Sequence, residues 1–228
     1  MYFQACKGAG PIGSGVDIFG FTMPTVPVGV LAGFTTAASK RYRPQLWLSW
    51  ALVLIGLGLL STVTADTSRA KSIGYQIIAG AGIGILCTCT YFPVLAPLPV
   101  TANAKALGLF MFLRYFSQIW GITIGGAILQ NGLGERLPAD FISAFPQGSG
   151  VAYSIIPLIS GLEEPFKTQV ENAFAESLQT MWRVLIAMAG FAFLVSLAMK
   201  HLVLHTSIDK DWAIEENEVA GGDTSNTP

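Results

Sequence analysis

Residues Ala102–Gln130 read ANAKALGLFMFLRYFSQIWGITIGGAILQ, an apolar run with one arginine set inside it. Arg114 stands nine residues past Lys105. At about 1.5 Å per residue it is roughly 14 Å deep, near the middle of a hydrocarbon core about 30 Å thick. A central arginine disfavours insertion by about 2.5 to 3.5 kcal/mol, so such a residue faces other helices or a water-filled cavity. It marks either a polar pathway or a contact that braces helices together. Gln118 follows one turn later on the same face. Gly121, Gly125 and Gly126 give the helix flat surfaces against which a neighbour packs closely.

The composition around this stretch is that of a membrane protein. Of 228 residues, 52% are hydrophobic and 12% charged, where a soluble domain carries about 25% charged residues. The formal net charge of −1, with no basic patch interleaved with aromatics, excludes a nucleic-acid partner. Cys6, Cys87 and Cys89 are an odd number and form no disulfide framework. The opening MYFQACKGAGPIGSG has no apolar h-region, so no cleavable signal is expected and the first helix serves as its own insertion signal.

Working outward, residues 1–17 are rich in glycine and read as an external loop. Ile18–Ser39 is free of charge and long enough to span, with Pro24 and Pro27 expected to kink it. The turn SKRYRP, Ser39–Pro44, carries Lys40, Arg41 and Arg43, and Pro44 suits the first turn of a second helix over Gln45–Ala65. Ser72–Ala104 is again free of charge but too long for one helix. Pro93, Pro97 and Pro99 are expected to end a helix that starts near Ser72 and to leave an irregular return into the Arg114 helix. Residues 18–130 thus hold four spans.

Residues 131–180 mix glycine, proline and acids, the composition of a long external loop. Within it Phe166, Val170, Phe174 and Leu178 recur every four residues opposite Lys167, Glu171 and Glu176. That pattern fits an amphipathic helix on the membrane surface or, equally, one packed into a core. A fifth span over 181–204 has Arg183 and Lys200 placed to snorkel to its two surfaces. Residues 205–228, where six acids oppose only Lys210, read as a disordered cytoplasmic tail. The fold class is an all-α membrane protein with about five transmembrane helices. The density of basic residues in the first short turn puts that turn in the cytoplasm, so the Arg114 helix begins inside.

Other chemistry is weak in this sequence. AGAGIG at Ala79–Gly84 lacks the glycine spacing of a dinucleotide loop, and no acid stands between Asp66 and Glu135 to hold a ribose. Gly80 and Gly84 instead have the spacing of close helix contact. Cys87 and Cys89 point to different faces of a helix with no histidine or acid near, which favours packing over metal. His201 and His205 lack a third ligand. No nucleophile has a base, and the expected spans hold no carboxylate, which argues against an enzyme.

Three stretches, YFQACKGAGPIGSGVD (Tyr2–Asp17), RYRPQLWLSWALVLIGLGLLS (Arg41–Ser61) and APLPVTANAKALGLFMFLRYFSQIWGITIGGAILQN (Ala96–Asn131), carry a resemblance. The chain resembles the carboxy-terminal half of a fungal major facilitator transporter of the fourteen-helix drug:proton antiporter type. The resemblance implies that the helices form most of one six-helix bundle, with the Arg41–Pro44 turn in the cytoplasm and the first stretch outside. It implies multi-pass insertion in the plasma membrane, with the vacuolar membrane as the alternative. It also implies efflux of small organic molecules or drugs by alternating access, with a proton gradient as energy source and no cofactor. The expected partners are a small-molecule substrate, the lipid bilayer and an amino-terminal bundle that this sequence does not contain. A competing reading is a short chain that does not transport and docks its incomplete face onto another membrane protein.

Overall fold

The computed structural model describes residues 1–137, 151–199 and 202. Residues 138–150 of the expected external loop, Lys200, His201 and His205, and the acidic tail lie outside the described residues. In chain order the helices are α1 (Tyr2–Lys7), α2 (Pro11–Ser39), α3 (Arg43–Leu60), α4 (Arg69–Cys89), α5 (Tyr91–Leu95), α6 (Asn103–Arg136), α7 (Val151–Ile159) and α8 (Phe166–Leu197). Five helical stretches among the described residues are long and apolar enough to cross a membrane: α2, α3, α4 with α5, α6 and α8. The protein is an all-α membrane protein.

The bundle is organised around α4, which packs against α2 on one side and α3 on the other. Helix α3 also meets α8, and α8 meets α6. The seam between α2 and α4 is a backbone contact. A Cβ on Gly80 would fall 2.1 Å from the Phe21 carbonyl oxygen, and one on Gly84 would fall 2.3 Å from that of Thr25. Lipid tails are as apolar as the side chains, so helices in a bilayer gain little from burying apolar surface against each other. Close approach over small residues supplies the dispersion contacts instead. Gly82 does the same toward α3, where its Cβ would meet Val53. Helix α2 stays continuous through Pro24 and Pro27. The Thr25 hydroxyl donates to the Phe21 carbonyl at 2.8 Å and lies 3.2 Å from that of Gly80, which puts a polar group on the seam beside the first proline.

Four boundaries differ from the sequence expectation. Residues 1–17 are not a loop: Gly8, at φ 58, closes α1 in the left-handed conformation glycine tolerates, and Pro11 opens α2 at a position where its missing N–H is no loss. The second helix ends at Leu60, short of Ala65. Helix α6 runs on past Gln130 to Arg136 because Gly132 and Leu133 pack under α8, where a Cβ on Gly132 would meet Ser177 Oγ at 2.9 Å. Its last residue is tied down as Arg136 pairs with Glu176 at 3.3 Å. Helix α8 starts at Phe166 and has no break near Met181. Of its apolar stripe, Val170, Phe174 and Leu178 are buried and Phe166 is exposed, so the stripe packs into a core.

That core joins α1, the end of α6, α7 and the first half of α8. Cys6 lies within it and donates its thiol to the Glu171 carbonyl oxygen at 3.4 Å. Burial, reinforced by the Glu171 charge and opposed by Lys7, pushes the Cys6 thiol from 9.0 up to about 12. The raised value means that protection is complete below the unfolded value and is lost only as pH rises through the folded one. Iodoacetamide needs the thiolate. At pH 8, Cys6 of the folded chain is therefore expected to alkylate at least about 100-fold more slowly than in the denatured chain, as read by peptide mass spectrometry. Equal rates would show that the α1 contact does not form.

Candidate functional site

Arg114 projects from the first half of α6 toward the junction of α4 and α5. Its Nη2 donates to Cys87 Sγ at 3.0 Å and its Nη1 to the Tyr91 hydroxyl at 3.2 Å. The guanidinium carbon stands 5.9 Å from the Tyr91 ring centroid. Tyr91 sends its own hydroxyl hydrogen to Met111 Sδ, 3.7 Å away, which leaves its oxygen lone pairs for the arginine. Phe110, one turn before Arg114, meets the Tyr91 ring edge-on at 5.0 Å between centroids. The positions follow from the prolines: Pro93 lies in the short α5, and Pro97 and Pro99 precede α6, so the chain turns back and lays α6 beside Tyr91. The arginine thus has partners within this chain. The sequence reading of Cys87 as a packing residue is corrected, since its sulfur is an arginine acceptor, whereas Cys89 is fully buried beside Thr36.

The other residues singled out from sequence are spread over the molecule. Gln118 is exposed and shares no hydrogen bond with Arg114 among the described residues. Gly125 faces Met181 of α8 at 3.7 Å, while a Cβ on Gly121 would meet nothing within 4 Å. Gly80 and Gly84 lie on the α2–α4 seam. Lys40 caps α2 with φ 53, Arg41 is exposed, and Arg43 lays its guanidinium 4.9 Å from the centroid of the Trp47 ring.

One charged site escaped the sequence reading. Because α2 begins at Pro11, Asp17 lies inside a membrane-length helix, about 9 Å from its start. The expectation that the spans hold no carboxylate is thereby corrected. Asp17 is 3% exposed, and its Oδ1 accepts from Arg69 Nε of α4 at 2.8 Å. Its Oδ2 has no hydrogen-bond partner among the described residues. The only signal in the sequence was the acid itself, one residue ahead of the charge-free run.

Five membrane-length helices, glycine-lined seams and charged residues set within the helical length are the features of a multi-pass membrane protein. The comparisons with known proteins agree. The chain is 30% identical over 224 residues to Efflux pump FUS6 of Gibberella fujikuroi, an alignment that covers 96% of this chain and 40% of that protein. It is 32% identical over 223 residues to MFS efflux transporter aclA of Aspergillus oryzae, with 96% and 40% covered. It is 31% identical over 219 residues to MFS-type efflux pump MMF1 of Pseudozyma antarctica, with 95% and 40% covered. No family model matches the chain, and no solved structure does. Along nearly its whole length the chain is thus similar to fungal efflux pumps and transporters of the major facilitator type. It spans about 40% of the length of the curated relatives it matches.

Proposed function

We propose that the chain supplies most of the carboxy-terminal bundle of a proton-coupled efflux transporter that moves small organic molecules out of the cytoplasm by alternating access. The observation that carries this reading is the similarity to efflux pumps along 96% of the chain. In this architecture the substrate path lies between two bundles near the midplane. Arg114, about a third of the way along α6 and half-buried, is placed to line or brace that path. The basic turn Lys40–Arg43 faces the cytoplasm, the amino-terminal stretch faces outside, and the partner bundle belongs to the remainder of the protein. The membrane is the plasma membrane, with the vacuolar membrane as the alternative. A proton gradient drives the cycle, and no other cofactor takes part.

Efflux from vesicles containing the whole transporter tests this. Export of organic compounds is expected to stop when a protonophore collapses the gradient, and Arg114→Leu is expected to lower the export rate by roughly tenfold or more. Absence of gradient-dependent export of every compound tried would end the reading. Full activity in the Leu variant would reduce Arg114 to a structural residue.

A further inference from the structure

We propose that Arg114 is the binding point for the carboxylate of an aromatic organic acid, and that this anion defines the substrate class of the path described above. The inference deepens the transport reading and rests on it.

The argument begins with charge. The two ion pairs among the described residues are Asp17 with Arg69 and Arg136 with Glu176. Arg114 belongs to neither. Its two partners, the Cys87 sulfur and the Tyr91 hydroxyl, are neutral acceptors that orient the guanidinium without cancelling its charge. A guanidinium cannot shed its proton as a lysine does, so the charge persists at this depth and raises the value of an incoming anion. Five N–H donors are present and two are engaged, which leaves hydrogens for a carboxylate.

The surroundings then select the rest of the ligand. Phe110 and Tyr91 form an edge-to-face pair on one side of the guanidinium, a surface against which an aromatic ring stacks. On the other side, the same face of α6 carries exposed Gln118 and then Gly121, whose missing side chain leaves open space. A fixed charge with an aromatic surface on one side and open helix face on the other suits a flat, lipophilic acid in its ionised form. A carboxylate from another segment of the transporter has the same chemistry, and the experiment separates the two sources.

The whole 228-residue chain is placed in phosphatidylcholine nanodiscs and titrated with 1-pyrenebutyrate and its neutral amide, each corrected for binding to empty discs. The acid is expected to bind saturably and at least tenfold more tightly than the amide. Arg114→Gln should remove this preference, Arg114→Lys should keep part of it, Tyr91→Phe should weaken acid binding about threefold, and Arg183→Gln should change nothing. The acid-to-amide comparison on the unaltered chain needs no variant to fold. Equal binding of acid and amide, or no saturable binding by a fully helical chain, overturns the proposal. In the whole transporter the acid should be exported in preference to the amide. Equal export would place a protein carboxylate on Arg114 and overturn the assignment, while export of either compound would leave the transport reading standing.

Discussion

Gly80→Leu is expected to destabilise the chain by about 3 kcal/mol or more, because the side chain it introduces has nowhere to go. A Cβ at this position would fall 2.1 Å from the Phe21 carbonyl oxygen and 3.1 Å from Pro24 Cγ. Two of the three nearest atoms are backbone, so no rotamer change relieves the clash and the α2 backbone must move. Moving it opens the seam at Gly84 and at Gly29, whose own Cβ would lie 3.0 Å from the Gly84 carbonyl oxygen. For a chain of this size about 3 kcal/mol corresponds to a fall in Tm of roughly 6 to 12 °C, readable by fluorescence in detergent. Gly74 lies on the same helix with no atom near its missing Cβ, and Gly74→Ala is the control. Alanine is the better helix former, so the control is expected to hold or raise Tm. A similar fall in both variants would mean that close approach at Gly80 does not set the effect.

The second large effect is expected at the Asp17–Arg69 pair. Arg69→Met leaves a carboxylate that is 3% exposed without its partner, and breaking such a pair from one side costs several kcal/mol in a dry site. Arg69 itself is 53% exposed, so water reaches the pair from that side and reduces the loss to about 2 kcal/mol. Asp17→Asn in the same chain should return most of this stability, since the neutral amide no longer needs the cation. Unfolding of both single variants and the double variant gives the coupling energy. Strict additivity would show that the two groups do not depend on each other.

How much of this was legible in sequence follows from which solvent each segment faces. The spanning stretches were visible because hydrocarbon forbids charge over a fixed length, as in Ile18–Ser39 and Ser72–Ala104. Arg114 was visible for the same reason, as the exception. Its partners were not, because Cys87 and Tyr91 are neutral residues 27 and 23 positions away that carry no pattern of their own. Helix ends were least legible where the chain leaves the bilayer. There glycine in residues 1–17 resembles a loop by composition, although Gly8 only closes a helix, and the acids of α8 resemble a break although Glu176 pairs with Arg136. The Asp17 pair was hidden because it depended on one of these boundaries.

The core shared by α1, α7 and the adjoining ends of α6 and α8 gives the chain a second kind of cohesion. Its α8 segment carries half-buried Lys167 and Glu171 and exposed Glu176 beside the apolar stripe, so it folds against water, at about 25 cal/mol per Å² of apolar surface buried. The α2–α4 seam folds against lipid, where that driving force is nearly absent. Urea and cold weaken the first kind of cohesion and leave the second largely intact, whereas changing the detergent or the lipid acts mainly on the second. One continuous helix, α8, passes through both regions, so the chain melts in an order that its surroundings choose.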